Sequence, residues 1–404
     1  MTRAPSEGPL RTRLGWIALV AFASGSPYGF VNDALPIYLR SEGAGLVKVG
    51  LVAAVSFPWT FKFIWSPLVD RIGTRRQWIV ACLIALAALT LLVAAADVHA
   101  LAPGFWFLLV AMTTLSATQD VAIDAFTIES TTEEELGAAN SVRIALYRGA
   151  MFVAGGAVVW LAGRAGWRTA FIAAAAIVGA LAVAALFMPA VRRARTVERQ
   201  PIWEPVRALI ARRGIWLVIG FALIFKLDVA ALEPMMRPFW VDRGLSLEEI
   251  GGALTLARTI ATVTGAVVGG VLTTRWGIRR ALWLLGAVQA CSALGYWAAA
   301  TFWSGEPAVF GAAIFENFAA GLATAAYLAY LMSLCERRFA ATQFALLSAL
   351  LAVTRSLAGT VSGSLAEHLG YSHYFMLTFL AGLPAFALIP LLSRVERPPE
   401  SPAG

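Results

Sequence analysis

Long apolar runs separated by short breaks constrain the fold of this chain more than any single motif. The breaks usually contain Gly, Pro or Arg, and hydrophobic residues occupy 59% of the 404 positions. Charged residues occupy only 14%, whereas a soluble domain carries about 25%. Because a membrane-crossing helix needs about 20 mostly apolar residues, the pattern predicts an all-α membrane protein with twelve transmembrane helices. The same composition excludes a soluble enzyme, a nucleic-acid-binding protein and a disordered chain.

One connection, residues 190–213, is longer than the others and contains seven arginines. We interpret it as a cytoplasmic linker between two six-helix bundles at 14–189 and 214–393, with cytoplasmic tails at 1–13 and 394–404. The predicted helices cover residues 14–39, 46–69, 77–96, 104–129, 137–162, 167–189, 214–239, 247–273, 280–301, 307–334, 341–366 and 371–393.

Basic residues are distributed unevenly between the two sides of this predicted topology. Twenty of the 32 Lys and Arg residues fall in the tails, the linker and every second loop, and five fall in the remaining loops. The positive-inside rule therefore predicts that both termini are cytoplasmic. This bias accounts for the formal net charge of +8 without any nucleic-acid partner.

The two predicted bundles repeat each other at a constant offset of 204 residues. Internal duplication of a six-helix unit is the architecture of a large class of secondary carriers, so we predict two pseudo-symmetric bundles. The recurring residues are Arg71, Gly73, Arg75, Arg76, Gly155, Gly166 and Phe171, which return as Arg275, Gly277, Arg279, Arg280, Gly359, Gly370 and Phe375.

Ionisable residues inside the predicted helices indicate a water-filled cavity, because each costs at least about 2.5–3.5 kcal/mol at bilayer depth. Asp120 and Arg148 lie 14 residues before and after Glu134, at the centre of the loop between predicted helices 4 and 5. Asp124 and Arg143 lie 10 before and 9 after it. Residues at equal distances from one loop lie at similar depth, so we hypothesise the ion pairs Asp120–Arg148 and Asp124–Arg143.

The same arithmetic places Asp228 and Arg258 at one depth, each 15 residues from Arg243. Lys226, two residues from Asp228, is predicted to lie on a different face of its helix. Such charges could bind and release a proton during transport, or they could form purely structural salt bridges.

Three sets of candidate residues follow from these patterns. The proton-coupling network comprises Asp120, Asp124, Arg143, Arg148, Asp228 and Arg258. The candidates for lining a substrate cavity are Asn32, Asp33, Lys62, Gln119, Lys226, Glu316, Asn317 and Arg355. The candidate conformational latch at the helix 2–3 and 8–9 loops comprises Asp70, Arg71, Arg75, Arg76, Arg275 and Arg279.

No pattern of catalytic or metal-binding residues stands out. The three cysteines and three histidines lack metal or disulfide spacing, and no nucleophile elbow or HExxH motif occurs. We expect no metal, no cofactor and no enzymatic activity. A membrane-embedded enzyme and a non-transporting sensor or scaffold remain the alternatives from other functional classes.

The loop from Ser66 to Arg76 resembles the signature of the major facilitator superfamily between helices 2 and 3. More specific strings resemble the AmpG muropeptide permease family of that superfamily. They are residues 61–70 (FKFIWSPLVD), 117–125 (ATQDVAIDA), 147–149 (YRG), 315–317 (FEN), 331–335 (LMSLC) and 341–350 (ATQFALLSAL).

This resemblance covers the chain from Ala23 to about Leu392. It implies a bacterial inner-membrane carrier of the major facilitator fold that imports anhydro-muropeptides, driven by protons and working as a monomer. The embedded arginines suit such an anionic glycopeptide, because its peptide and lactyl groups carry carboxylates. The alternative within the superfamily is a carrier of siderophores or other peptide-like or organic-anion solutes, or an acetyl-CoA-type carrier.

Overall fold

The computed structural model describes residues 9–95, 103–131, 135–189, 203–303, 305–335 and 340–394, and all regular structure in these ranges is helical. Ten described stretches are long and apolar enough to cross a membrane, and Leu46–Phe61 is a shorter apolar helix. The last stretch, Leu346–Leu392, is 47 residues long, about twice what one crossing needs. The chain is therefore an all-α membrane protein, and these stretches are consistent with twelve crossings.

We number the helical segments in chain order. They are α1 (Leu10–Ser41), α2 (Leu46–Phe61), α3 (Arg75–Ala95), α4 (Pro103–Ser130), α5 (Val142–Ala165, preceded without a break by a helix that begins at Leu136), α6 (Trp167–Ala185), α7 (Ile215–Asp242), α8 (Leu247–Trp276), α9 (Ile278–Thr301), α10 (Glu306–Ser333), α11 (340–369) and α12 (371–392).

Glycines with positive φ separate consecutive helices at equivalent places in the two halves. Gly166 separates α5 from α6 at φ 80°, and Gly370 separates α11 from α12 at φ 71°. Gly73 precedes α3 at φ 63°, and Gly277 separates α8 from α9 at φ 78°. Side chains disfavour this left-handed region, and both pairs are 204 residues apart. The sequence repeat is thus also a repeat of backbone conformation.

The chain divides into two compact units. The first contains residues 1–44, 55–197 and 246–255, and the second contains 45–54, 198–245 and 256–404. Each unit therefore holds most of one predicted bundle together with a short segment from the start of α2 or α8. The predicted bundle boundaries at 189 and 214 stay a prediction, since residues 190–202 of the linker and most of both tails lie outside the described residues.

Small residues allow close helix packing within each unit. In the first unit, a Cβ atom on Gly25 or Gly29 of α1 would collide with the backbone of Tyr147 or Met151. In the second unit, a Cβ atom on Gly265 of α8 would collide with the backbone of Phe318 on α10. Such contacts stabilise helix pairs by van der Waals packing in a medium where the hydrophobic effect is weak.

Irregular turns interrupt several helices in both units. In the first unit, π-helical turns occur at Phe30–Ala34, Phe152–Ala157 and Ile250–Leu254. In the second unit, α7 consists of two helices, Ile215–Ile224 and Leu227–Asp242, with a break at residues 225–226. Interruptions of this kind are frequently found at functional sites.

Candidate functional site

The first unit contains a cluster of four partly exposed charges. Asp120 and Asp124 are one turn apart on α4, and Lys62 lies in a 3₁₀ turn after α2. The Lys62 Nζ atom is 3.5 Å from Asp124 Oδ2 and 3.9 Å from Asp120 Oδ2. Arg143 forms an ion pair with Asp124. The Ser24 hydroxyl donates a hydrogen bond of 2.6 Å to Asp120 Oδ1. One lysine and one arginine thus balance the two carboxylates.

The structure contains the hypothesised Asp124–Arg143 pair but not the Asp120–Arg148 pair. Arg148 is exposed, and its guanidinium lies 4.0 Å from the sulfur of Met151 on the same helix. The prediction matched the depths of these residues in the membrane but did not consider the directions of their side chains around the helix axis. Arg143 and Arg148 are five residues apart, so their side chains point about 140° apart around the helix, whereas Asp120 and Asp124 share one face. Lys62 takes the place beside Asp120 that had been predicted for Arg148.

Three other cavity candidates in this unit, Gln119, Asn32 and Asp33, lie outside this charged cluster. Gln119 is fully buried, and neither its amide nitrogen nor its amide oxygen has a hydrogen-bond partner among the described residues. Asn32 lies in the π-helical turn of α1, where it donates to the carbonyl oxygen of Tyr28 at 3.1 Å and accepts from Ser56 at 3.4 Å. The side chain of Asp33 lies directly over Gly155.

In the second unit, a glutamine bridges Lys226 and Asp228. The Lys226 ammonium donates to Gln289 Oε1 and, at 2.9 Å, to the Thr324 hydroxyl. The Gln289 amide nitrogen donates to both carboxylate oxygens of Asp228, at 2.9 and 3.0 Å. The sequence pattern placed Lys226 and Asp228 on different faces of one helix, and the structure adds an interruption of that helix at residues 225–226. Because α7 breaks at Lys226, both side chains reach Gln289 of α9.

Asp228 is therefore bound by Gln289 and does not form an ion pair with Arg258. The Arg258 guanidinium instead stacks on Trp240, with Cζ 4.6 Å from the ring centroid, a cation–π arrangement. Its Nε atom is buried and has no hydrogen-bond partner among the described residues. The side chain thus keeps an unused donor at membrane depth.

Glu233 of α7 is shared by two arginines. Its carboxylate is 3.7 Å from Arg237, which is buried, and 3.2 Å from Arg355 of α11, whose side chain is 40% exposed. Glu316 is buried on α10, where it accepts a 2.8 Å hydrogen bond from Asn317. Asn317 in turn accepts from Thr262 of α8 at 3.1 Å.

The loop arginines bind the ends of neighbouring helices. Arg75 forms an ion pair of 3.0 Å with Glu129 at the end of α4. Arg76 donates to the Met188 carbonyl after α6 at 3.1 Å, and Arg279 donates to the Pro390 carbonyl at 3.2 Å. Arg275 is exposed. The side chains of the other two latch candidates, Asp70 and Arg71, lie outside the described part of the structure.

Comparison with known proteins identifies the family. The sequence model of the Major Facilitator Superfamily matches residues 17–353 and again 223–404. The anhydromuropeptide permease of Escherichia coli K12 is 33% identical over 390 residues, covering 92% of this chain and 78% of that protein. The chain belongs to the AmpG-like permeases of the major facilitator superfamily.

A further relative agrees with this assignment, and two solved transporter structures share the fold. A putative AmpG 4 transporter of Rickettsia conorii is 26% identical, and the alignment covers 94% of this chain and 96% of that protein. A bacterial homologue of the human lysosomal transporter Spinster superimposes with a TM-score of 0.76 at 16% identity, covering 96% and 98% of the two chains. A D-xylose–proton symporter gives a TM-score of 0.73 at 11% identity, covering 92% and 96%.

Family membership makes this AmpG-like chain a multi-pass membrane transporter of small molecules rather than an enzyme. Its charged clusters can hold an anion or a proton without any covalent chemistry. Sequence reasoning missed Ser24, Gln289 and Thr324 as partners of the embedded charges. Gln289 carried a usable signal, because an amide within an apolar helix needs a partner in the membrane.

Proposed function

We propose that this chain imports anhydromuropeptides or similar peptidoglycan-derived glycopeptides by alternating access, driven by the proton gradient. The observation that carries the proposal is the 33% identity over 92% of the chain to a protein named anhydromuropeptide permease. The proposed location is the inner membrane of a bacterium, with both termini in the cytoplasm and one chain as the working unit.

The cluster in the first unit supports the proton-coupling part of the proposal. Asp120 and Asp124 lie beside Lys62, and Asp124 also lies beside Arg143. A conformational change that moves Lys62 away from Asp120 would leave that carboxylate with a hydroxyl partner alone, which favours the protonated form. Return of the lysine would favour proton release. The two environments supply the alternation that a symporter requires.

Half-exposed arginines support the anionic character of the substrate. The side chains of Arg143 and Arg355 are 36% and 40% exposed, although each also contacts an acidic residue. Guanidinium groups bind carboxylates in a two-pronged geometry. We assign Arg355 to a carboxylate of the stem peptide, because Glu233 can stay with the buried Arg237 when a substrate carboxylate replaces it on Arg355.

The loop arginines are the proposed conformational latch. Arg75, the first residue of α3, forms an ion pair with Glu129 at the end of α4, and Arg76 and Arg279 bind a carbonyl group after α6 and one near the end of α12. The Arg76 and Arg279 contacts are hydrogen bonds to carbonyl groups, whereas the Arg75–Glu129 ion pair is largely buried, with side chains 9% and 12% exposed. Opening that pair in each cycle therefore requires new partners for both charges in the other conformation.

An uptake assay in proteoliposomes tests the proposal. Purified protein should take up an anhydromuropeptide under an inward proton gradient, and an uncoupler should abolish the uptake. Asp120→Asn and Asp124→Asn should each abolish concentrative uptake while leaving exchange of substrate across the membrane. Full gradient-driven uptake by both variants would overturn the coupling assignment. Saturable siderophore uptake without muropeptide uptake would overturn the substrate assignment.

A further inference from the structure

The break in α7 is the most elaborate irregularity in the second unit. Lys226 is the second residue of the break and the N-cap of the helix that follows, with φ −110° and ψ 10°, and it lies near the middle of the Ile215–Asp242 segment. A break inside a membrane leaves backbone carbonyl groups that need partners. The Tyr327 hydroxyl donates to the Ala222 carbonyl at 3.1 Å, and the Thr354 hydroxyl donates to the Leu223 carbonyl at 3.2 Å.

Side chains from three helices therefore hold the break open in a fixed form. Tyr327 comes from α10, Thr354 from α11 and Gln289 from α9. Gly382 of α12 completes the enclosure, because a Cβ atom there would lie 3.0 Å from Asp228 Cβ. Lys226, Asp228 and Gln289 are each at most 3% exposed. This arrangement is a built and enclosed polar site rather than a locally frayed helix.

The electrostatics of this enclosure favour a cation. The first half of α7 ends at Ile224 and the second begins at Leu227, so the partial negative charge of one helix end and the partial positive charge of the other meet at the break and offset each other. Asp228 adds a full negative charge next to the break. The Gln289 amide oxygen and the Thr324 hydroxyl oxygen point at one position, which the Lys226 ammonium occupies.

The charge balance depends on that ammonium. The charged groups that act on it electrostatically are Asp228, Glu316 and Arg355. Arg355 is paired with Glu233, so within the described enclosure Lys226 is the cation that faces Asp228 through Gln289. Without the ammonium, the oxygen atoms of Gln289 and Thr324 would face an empty position beside Asp228.

We propose that the break in α7 is a monovalent-cation site that the ammonium group of Lys226 fills permanently. In carriers with broken helices, the carboxyl ends of half-helices and unwound carbonyls coordinate Na⁺. Here the tethered ammonium takes that position with its three donors. The transporter is therefore independent of Na⁺, and removing the lysine side chain opens the site to Na⁺ or Li⁺. This inference does not depend on the identity of the transported solute.

Thermal unfolding of the purified full-length chain tests it. For Lys226→Ser, which leaves room for an ion and adds a hydroxyl ligand, Tm should rise by about 3 °C or more when 150 mM choline chloride is replaced by NaCl or LiCl. Lys226→Met is the matched control, because its side chain fills the space without a charge, and its Tm should not respond. The wild type should not respond either. In Lys226→Ser/Asp228→Asn the response should disappear.

Two results would overturn the inference. One is a folded Lys226→Ser protein with the same Tm in all three salts, which would make Lys226 a structural ion-pair partner only. The other is aggregation of both Lys226→Ser and Lys226→Ala in every salt, because a bound cation is expected to rescue their folding. Recovery of either variant only when Na⁺ or Li⁺ is present during purification would support the site.

Discussion

At the scale of single residues, we predict different effects on uptake for alanine substitutions of two arginines in the same helix. Arg143 forms an ion pair with Asp124, whereas among the described residues the polar contact of Arg148 is with the sulfur of Met151. Arg143→Ala should lower proton-driven uptake roughly tenfold, equivalent to about 1.4 kcal/mol, because Asp124 is left with Lys62 alone. Arg148→Ala should change the uptake rate less than about twofold. Equal losses in initial-rate assays, with both proteins folded, would contradict the assignment of Arg143 to the coupling cluster.

A second residue-scale prediction concerns Arg355 and its acidic partner. Glu233→Gln removes the acid that competes with substrate for Arg355, so the apparent affinity for an anhydromuropeptide with a free stem carboxylate should rise about threefold to tenfold. The same substrate with that carboxylate amidated should show no gain. Competition of each peptide against labelled substrate measures both affinities. A gain of equal size for the amidated peptide would remove Arg355 from carboxylate recognition.

Predictions for single residues succeeded where depth in the membrane alone decides whether two side chains meet. They failed where the direction of a side chain around its helix, or a break in the helix, decides it. Asp124 and Arg143 pair as their distances from the loop indicate. Asp120 does not meet Arg148, because the two arginines point to different sides of one helix. Lys226 and Asp228 meet through Gln289 only because α7 is interrupted. Neither Gly nor Pro marks residues 225–226 in the sequence, so that break could not be anticipated from local composition.

At the scale of helices, we distinguish glycines that helix packing requires from glycines that a larger residue can replace. A Cβ atom on Gly265 of α8 would overlap the backbone of Phe318, whereas a Cβ atom on Gly270 of the same helix would contact nothing within 4 Å. Gly265→Ala should therefore lower Tm by several degrees, because backbone atoms of α10 must move apart. Gly270→Ala should leave Tm unchanged or slightly raised. Scanning fluorimetry in one detergent compares the two, and equal Tm values would show that α8 and α10 do not pack closely here.

The helices themselves were the most predictable part of the chain. The predicted start of α8 at residue 247 and the predicted end of α9 at residue 301 coincide with the structure. Apolar length fixes such segments, since every backbone polar group must be satisfied within the membrane. The π-helical turns of α1, α5 and α8 were not predicted. They depend on contacts such as Asp33 over Gly155 and Gly251 against Trp160, which join residues far apart in sequence.

At the scale of the whole molecule, the repeat links sequence to architecture. Gly166 and Gly370 share a left-handed conformation at the 204-residue offset, so the halves agree in backbone as well as in composition. The charged clusters of the two units nevertheless differ. The first unit places Lys62 between two partly exposed carboxylates, and the second encloses Lys226 completely. The two halves therefore share a backbone framework but differ in the charges that they embed.

The orientation that we predict from the distribution of arginines can be tested directly. Fluorescent protein fused after Gly404, or before Met1, should fluoresce in intact cells, because both termini are expected in the cytoplasm, where that reporter folds. Alkaline phosphatase fused after Arg168, at the end of α6 that is expected outside, should be active, whereas fusion after Arg76, at the end of α3 that is expected inside, should be inactive. Arg168 and Arg76 are both basic residues at the start of a helix, so their charge alone does not decide the outcome. The prediction rests on the positive-inside rule, which counts basic residues over whole loops. An active phosphatase at Arg76 and an inactive one at Arg168 would contradict the predicted topology and with it the proposed direction of uptake.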